Sequence, residues 1–161
     1  HFSWTDRSLE TGDPVVLELS GCRHRYHAPV TRTVYIGEIP AAARTTADAI
    51  LDGFAAALAA VEPGATASQV AAAWQDAIAT YGIDKDARIG YACGLGYPPD
   101  WGEHTLSIRP GDDTVLQPGM TFHLIPGIWD PDAPVVLSET VVVTADGAET
   151  LSDIKRDLLV A

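Results

Sequence analysis

The sequence predicts an α+β domain, and three observations carry that prediction. Two runs with strand periodicity stand near the front, over residues 15–19 and 30–36. Two alanine-rich stretches with helical periodicity follow, between Pro40 and Gly82. The remainder alternates β-branched runs with glycine and proline turns. Strands, then two helices, then strands describe an antiparallel sheet with both helices laid on one face.

Residues 1–14 read as an irregular lead-in closed by the turn "TGDP". In the first strand Val15, Leu17 and Leu19 share one face, and Val16 and Glu18 the other. The second, over 30–36, is rich in β-branched residues and close enough to pair antiparallel with the first. Pro40 opens a long helix in which Ile50, Phe54, Leu58 and Val61 recur at helical spacing, and "EPG" at 62–64 stops it. Thr66 and Gln69 form a T-x-x-Q capping box for a second helix. Its apolar stripe is Val70, Trp74, Ile78 and Tyr81, and Gly82 ends it. Later strands are expected over 88–97, 120–129 and 134–144, the last being the longest, with "ADG" at 145–147 turning the chain back. No internal repeat, low-complexity tract or linker interrupts this order.

A chain of 161 residues can bury a real core, since a domain of this size removes roughly 70% of its unfolded surface from water. Ten Lys and Arg stand against 22 Asp and Glu, a formal net charge of -12. Such a surface repels phosphate backbones and anionic lipid, which argues against nucleic acid and membrane partners. Cys22 and Cys93 form no C-x-x-C pair and suit a reduced, cytoplasmic setting. The most apolar helical stretch, 47–61, is interrupted by Asp48 and Asp52, so no membrane span or signal peptide is read. The first residue is His1, not Met, and the chain is expected to be a trimmed or processed piece.

Five motifs occur in a characteristic order: "GDPVVLELSG" at 12–21, "TRT" at 31–33, "PGMTF" at 118–122, "PGIW" at 126–129 and "ETVVVTADGAETLS" at 139–152. Together they resemble the creatinase/methionine aminopeptidase superfamily, the M24 peptidases of pita-bread fold. The resemblance covers nearly the whole chain. It implies a partial pita-bread catalytic domain over 1–161, lacking the N-terminal part of that domain and any domain before it. Metallopeptidase members hold two metal ions with two Asp, one His and two Glu. Those positions fall here on Glu18, Pro29, Tyr91, Ile125 and Ser138. Pro and Ile offer no ligand atom, and Tyr and Ser replace imidazole and carboxylate poorly, so no metal site and no cofactor are expected.

The strings "LELSGCRHRYHAP" at 17–29 and "IGYACGLGYPPDWGE" at 89–103 look like the ectoine hydrolase branch of the superfamily. That resemblance implies a metal-independent hydrolase opening a small cyclic amidine by C–N hydrolysis. The alternatives are an Xaa-Pro peptidase homologue, or a silent pita-bread module used for binding or assembly. It also implies a homodimer, or association with the missing N-terminal part.

Among the residues themselves, Glu18 is the one acid left at a former ligand position. A carboxylate in a dry pocket attracts a cationic amidine and can attack its carbon or activate water against it. Its alternative role is a salt bridge to Arg23, Arg25 or Arg32. His1 falls close to where the superfamily carries the His that serves creatinase in proton transfer; otherwise it is a frayed terminus. His27 is a candidate for the pocket mouth, and His123 for the former metal cavity or, equally, a hydrogen-bonded core position. His104 is expected at the surface. Tyr91, Tyr97, Trp101 and Glu103 are expected to shape the pocket wall. A shift of register by one residue would put Glu139, not Ser138, at the ligand place, so Glu139 is also a candidate substrate contact.

Overall fold

The computed structural model describes residues 4–97 and 99–161. Strands β1 (Pro14–Arg23) and β2 (Tyr26–Tyr35) form a long hairpin, in antiparallel register from Pro14 opposite Tyr35 to Arg23 opposite Tyr26. Both strands run well beyond the expected 15–19 and 30–36. The cause is the turn: His24 and Arg25 adopt φ of 52° and 69°, and two left-handed residues match the strand twist and let pairing continue to the tip. The polar string between 20 and 29 hides this from any reading of hydrophobic period.

Helix α1 (Ala41–Ala59) starts behind Pro40. Helix α2 (Ala67–Ala79) starts at Thr66, whose hydroxyl accepts from the Gln69 amide while the Gln69 side chain accepts from the Thr66 amide, as the capping box requires. Ile50, Phe54 and Val61 are buried as expected, and so are Val70, Trp74 and Ile78. Tyr81 is not part of the stripe. It lies past the last helical turn, exposed, with its phenol bonded to Asp52 of α1. The helices meet closely at Gly53, where a Cβ would stand 2.7 Å from Cδ1 of Trp74.

The remaining strands are β3 (Gly90–Cys93), β4 (Gly102–Ile108), β5 (Thr121–Leu124), β6 (Gly127–Ile128), β7 (Val135–Val136), β8 (Glu139–Thr144), β9 (Gly147–Thr150) and β10 (Leu159–Val160). A five-stranded antiparallel sheet has the order β4-β3-β5-β8-β9. A second sheet, β1-β2-β10, includes one parallel pair, and β6 and β7 make a short ribbon. The expected strand at 88–97 is cut short by an irregularity between Tyr91 and Cys93. Pro126 divides the run 120–129, because proline cannot donate to a ladder. The run 134–144 breaks at 137–138, where Ser138 pairs instead with Thr31 of β2 and so joins the two sheets. β4 was not expected, since "GEHTLSI" is largely polar at its start.

One core serves the whole arrangement. Tyr35, Ile50, Phe54, Trp74, Ile78, Phe122 and Val141 belong to a continuous buried cluster between the helices and the sheet. Among the described residues no helix is long and apolar enough to cross a membrane.

Candidate functional site

Cross-strand partners project to the same side of a sheet, and so do residues two apart on one strand. Glu18 faces Thr31, Thr31 faces Ser138, Tyr91 faces His123, and His123 faces Thr140. Glu18, Thr31, Ser138, Thr140, His123 and Tyr91 therefore gather on one polar side of the joined sheets. Arg32 and Glu139, one residue out of step, go to the other.

The polar side is tightly bonded. Ser138 Oγ lies 2.5 Å from His123 Nε2, His123 Nδ1 lies 2.9 Å from the Tyr91 hydroxyl, and the Trp101 indole N–H donates to that hydroxyl over 3.0 Å. Burial drives the His123 imidazole from its ordinary 6.5 down to about 3, so it is neutral. Proton positions follow from the partners. Ser138 is fully buried and, among the described residues, has only Nε2 to donate to. The imidazole proton then sits on Nδ1 and points at the Tyr91 oxygen. With two N–H donors already on that oxygen, the phenol's own proton is left facing outward.

It faces a groove of about 900 Å³, lined by Glu18, Arg88, Tyr91, Trp101, Glu103 and His104 among others. Glu18 Oε1 stands 3.9 Å from His123 Nδ1. That separation would suit an ion pair, yet the neutral imidazole forms none. Desolvation alone raises the Glu18 carboxyl above its ordinary range. No arginine pairs with it among the described residues; the expected alternative of a bridge to Arg23, Arg25 or Arg32 is not what the structure has. A partly desolvated carboxylate at the groove wall beside a phenol can take a proton or attack an electrophile while the phenol supplies a hydrogen bond.

The expected site residues divide accordingly. Glu18, Tyr91, Trp101, Glu103 and His123 converge. His104, expected merely at the surface, is exposed and also lines the groove. His1 lies outside the described residues. His27 shares the side of Glu18 but sits four register pairs along the hairpin, buried with Nε2 3.5 Å from Cys22 Sγ and Nδ1 without a partner among the described residues. Tyr97 is exposed and engages Arg25 by its hydroxyl and ring, not the groove. Glu139 is a correction: the register puts Ser138 on the site and turns Glu139 away. There its Oε1 meets Arg32 Nη2 at 2.5 Å and its Oε2 accepts from Ser152.

Two groove neighbours escaped the sequence reading. Thr31 is placed beside Glu18 only by the His24–Arg25 turn, which sets the register. Arg88 stacks over the Tyr91 ring at 4.9 Å, and nothing in its sequence surroundings marks it.

The sequence profile of metallopeptidase family M24 matches residues 1–145. A protein named ectoine hydrolase from Halomonas elongata is 42% identical over 161 residues, covering 99% of this chain and 40% of that protein. A probable dipeptidase PepE from Mycobacterium tuberculosis is 34% identical over 164 residues, covering 99% of this chain and 42% of that protein. The crystal structure of dipeptidase PepE from Mycobacterium ulcerans superposes with a TM-score of 0.89 at 32% identity, covering 99% of this chain and 43% of that one. The chain thus spans less than half the length of each of these three relatives.

The family description implies a metal site, and the donor set here does not fit one. No three His, Cys, Asp or Glu side chains converge among the described residues. Both nitrogens of His123 are already bonded, and the side chains of Tyr91 and Ser138 are the groups bonded to them. Glu18 alone remains, too few donors for a metal pair.

Proposed function

Since the chain belongs to metallopeptidase family M24, a family of hydrolases, we propose that it has exchanged the metal chemistry for a protein carboxylate and opens a C–N bond in a small cyclic amidine such as ectoine. Glu18 is the attacking group or the base. As base it takes a proton from water, and the resulting hydroxide adds to the amidine carbon. The ring C–N bond then breaks as its nitrogen gains a proton, leaving an amide and an amine. Tyr91 hydrogen-bonds the departing nitrogen or the developing oxyanion with its outward proton, and His123 and Trp101 hold the phenol in place. A protonated amidine is a cation, and Glu18, Asp100 and Glu103 line the groove that would receive it.

The observation that carries this reading is the environment of Glu18: partly desolvated, ion-paired with no arginine among the described residues, and sharing its groove with the Tyr91 phenol. A silent module would fill this space with side chains, whereas the groove is open. The residues 1–161 are read as part of one catalytic domain, acting within a longer protein. A cytoplasmic location is in keeping with two free thiols. A dimer is the expected assembly.

The test is hydrolysis by the full-length protein of ectoine and, separately, an Xaa-Pro dipeptide, with and without a chelator. Ectoine turnover indifferent to chelator supports the proposal. Chelator-sensitive peptide turnover would replace it with a metallopeptidase, and no turnover of either with the silent module.

A further inference from the structure

Arg88 and Glu18 line the same groove as Tyr91. The Tyr91 hydroxyl bonds His123, whose Nδ1 is 3.9 Å from Glu18 Oε1, while the Arg88 guanidinium lies over the ring at 4.9 Å from its centroid. Three carboxylates share that lining, Glu18, Asp100 and Glu103, yet among the described residues Arg88 makes no ion pair with any of them and donates no side-chain hydrogen bond. An exposed arginine on a chain of net charge -12 ordinarily finds an acid; this one lies over an aromatic ring at the wall of the groove. The contact with the ring restrains the guanidinium, and a guanidinium fork is the geometry that receives a carboxylate through two parallel N–H donors.

We propose that Arg88 is a specificity-determining residue that binds a carboxylate of the substrate, so that the groove selects a zwitterion. The cationic or electrophilic carbon is set against Glu18, the anionic group against Arg88, and a single small ring bridges them along Tyr91. This rests on the hydrolase reading for its substrate but makes a separate demand. A cyclic amidine lacking a carboxylate should enter poorly, because the acidic groove would attract its charge without fixing its orientation. A simple dianion should be rejected by Glu18, Asp100 and Glu103.

The experiment uses the full-length protein and two probes alike except for one group, ectoine and 2-methyl-1,4,5,6-tetrahydropyrimidine, which lacks the carboxylate. Binding is measured by calorimetry and turnover by product formation, in wild type and Arg88→Gln. Wild type is expected to prefer ectoine by about 10- to 100-fold, the range of a charge-assisted hydrogen bond. Arg88→Gln should abolish most of that preference while leaving the carboxylate-free probe within a few-fold of its wild-type value. Arg88→Lys should restore only part of it, since an ammonium cannot reproduce the fork. Equal preference in wild type and Arg88→Gln, or equal loss for both probes, would overturn the proposal. Should neither probe turn over, the hydrolase reading fails by itself, and the Arg88-dependent difference in binding still decides this one. If neither probe binds wild type at millimolar concentration, the carboxylate subsite is refuted as well.

Discussion

The Glu18 carboxylate and the His123 imidazole stand 3.9 Å apart without sharing a proton or a charge pair. Burial keeps the imidazole neutral, and the carboxylate is left to titrate by itself. Each departure from ordinary titration can be read in stability or rate.

His123 predicts acid lability. Its folded pKa is depressed, from 6.5 to about 3, so its contribution is present above 6.5 and is lost as the pH falls towards 3. Each unit of difference corresponds to about 1.4 kcal/mol. Urea unfolding between pH 7 and 3 should show a steep loss in wild type and a shallower one in His123→Gln, which cannot take up the proton. Parallel pH dependences would contradict the neutral imidazole.

Glu18 has the opposite sign. Its folded pKa is raised, so the folded state favours the protonated acid, and stability is lost as the pH rises through that value. Glu18→Gln should therefore be more stable than wild type at neutral pH. Activity needs the ionised form, so the acid limb of kcat/KM should lie above the ordinary glutamate value of about 4.3. An acid limb at or below it would mean that Glu18 is not desolvated in the working enzyme.

The free proton of Tyr91 predicts a split effect for Tyr91→Phe. Removing a positioned proton donor should lower kcat by about 100-fold or more, with KM changed little. A rise in KM with kcat intact would reduce Tyr91 to a wall residue.

Glu139 and Arg32 predict stability effects only. Arg32 also donates to the carbonyls of Thr31, Ser138, Ile154 and Lys155, pinning the segment after β9 to the back of the sheet. Glu139→Gln leaves a buried guanidinium without its counter-charge and should cost about 3–5 kcal/mol in urea unfolding. Activity per folded molecule should be kept. A kcat loss in folded Glu139→Gln would return this residue to the site.

Much of this was legible beforehand, and the failures have physical causes. The two helices carry their period and their capping box in consecutive residues, so both could be read. The order of short motifs pointed to the fold because pita-bread strands keep turn residues at recurring places. Strand lengths in the β1–β2 hairpin were missed because non-glycine residues at positive φ leave no sequence signal at His24 and Arg25. Ser138 against Glu139 was undecidable from period alone. Val136 and Val142 share the face of Ser138, and Leu137 and Val141 that of Glu139, so only the bridge to Thr31 fixes which one faces inward. Arg88 was invisible since stacking on Tyr91 depends on how β3 enters the sheet.

The most direct test of the central claim is the single-turnover hydrolysis of ectoine by full-length wild type and Glu18→Gln, both exhaustively stripped of metal. The account predicts unchanged turnover in the stripped wild type and a loss of at least about 1,000-fold in Glu18→Gln, with zinc or manganese restoring neither. Activity in Glu18→Gln comparable to wild type, or recovery of stripped wild type only when metal is returned, would contradict it.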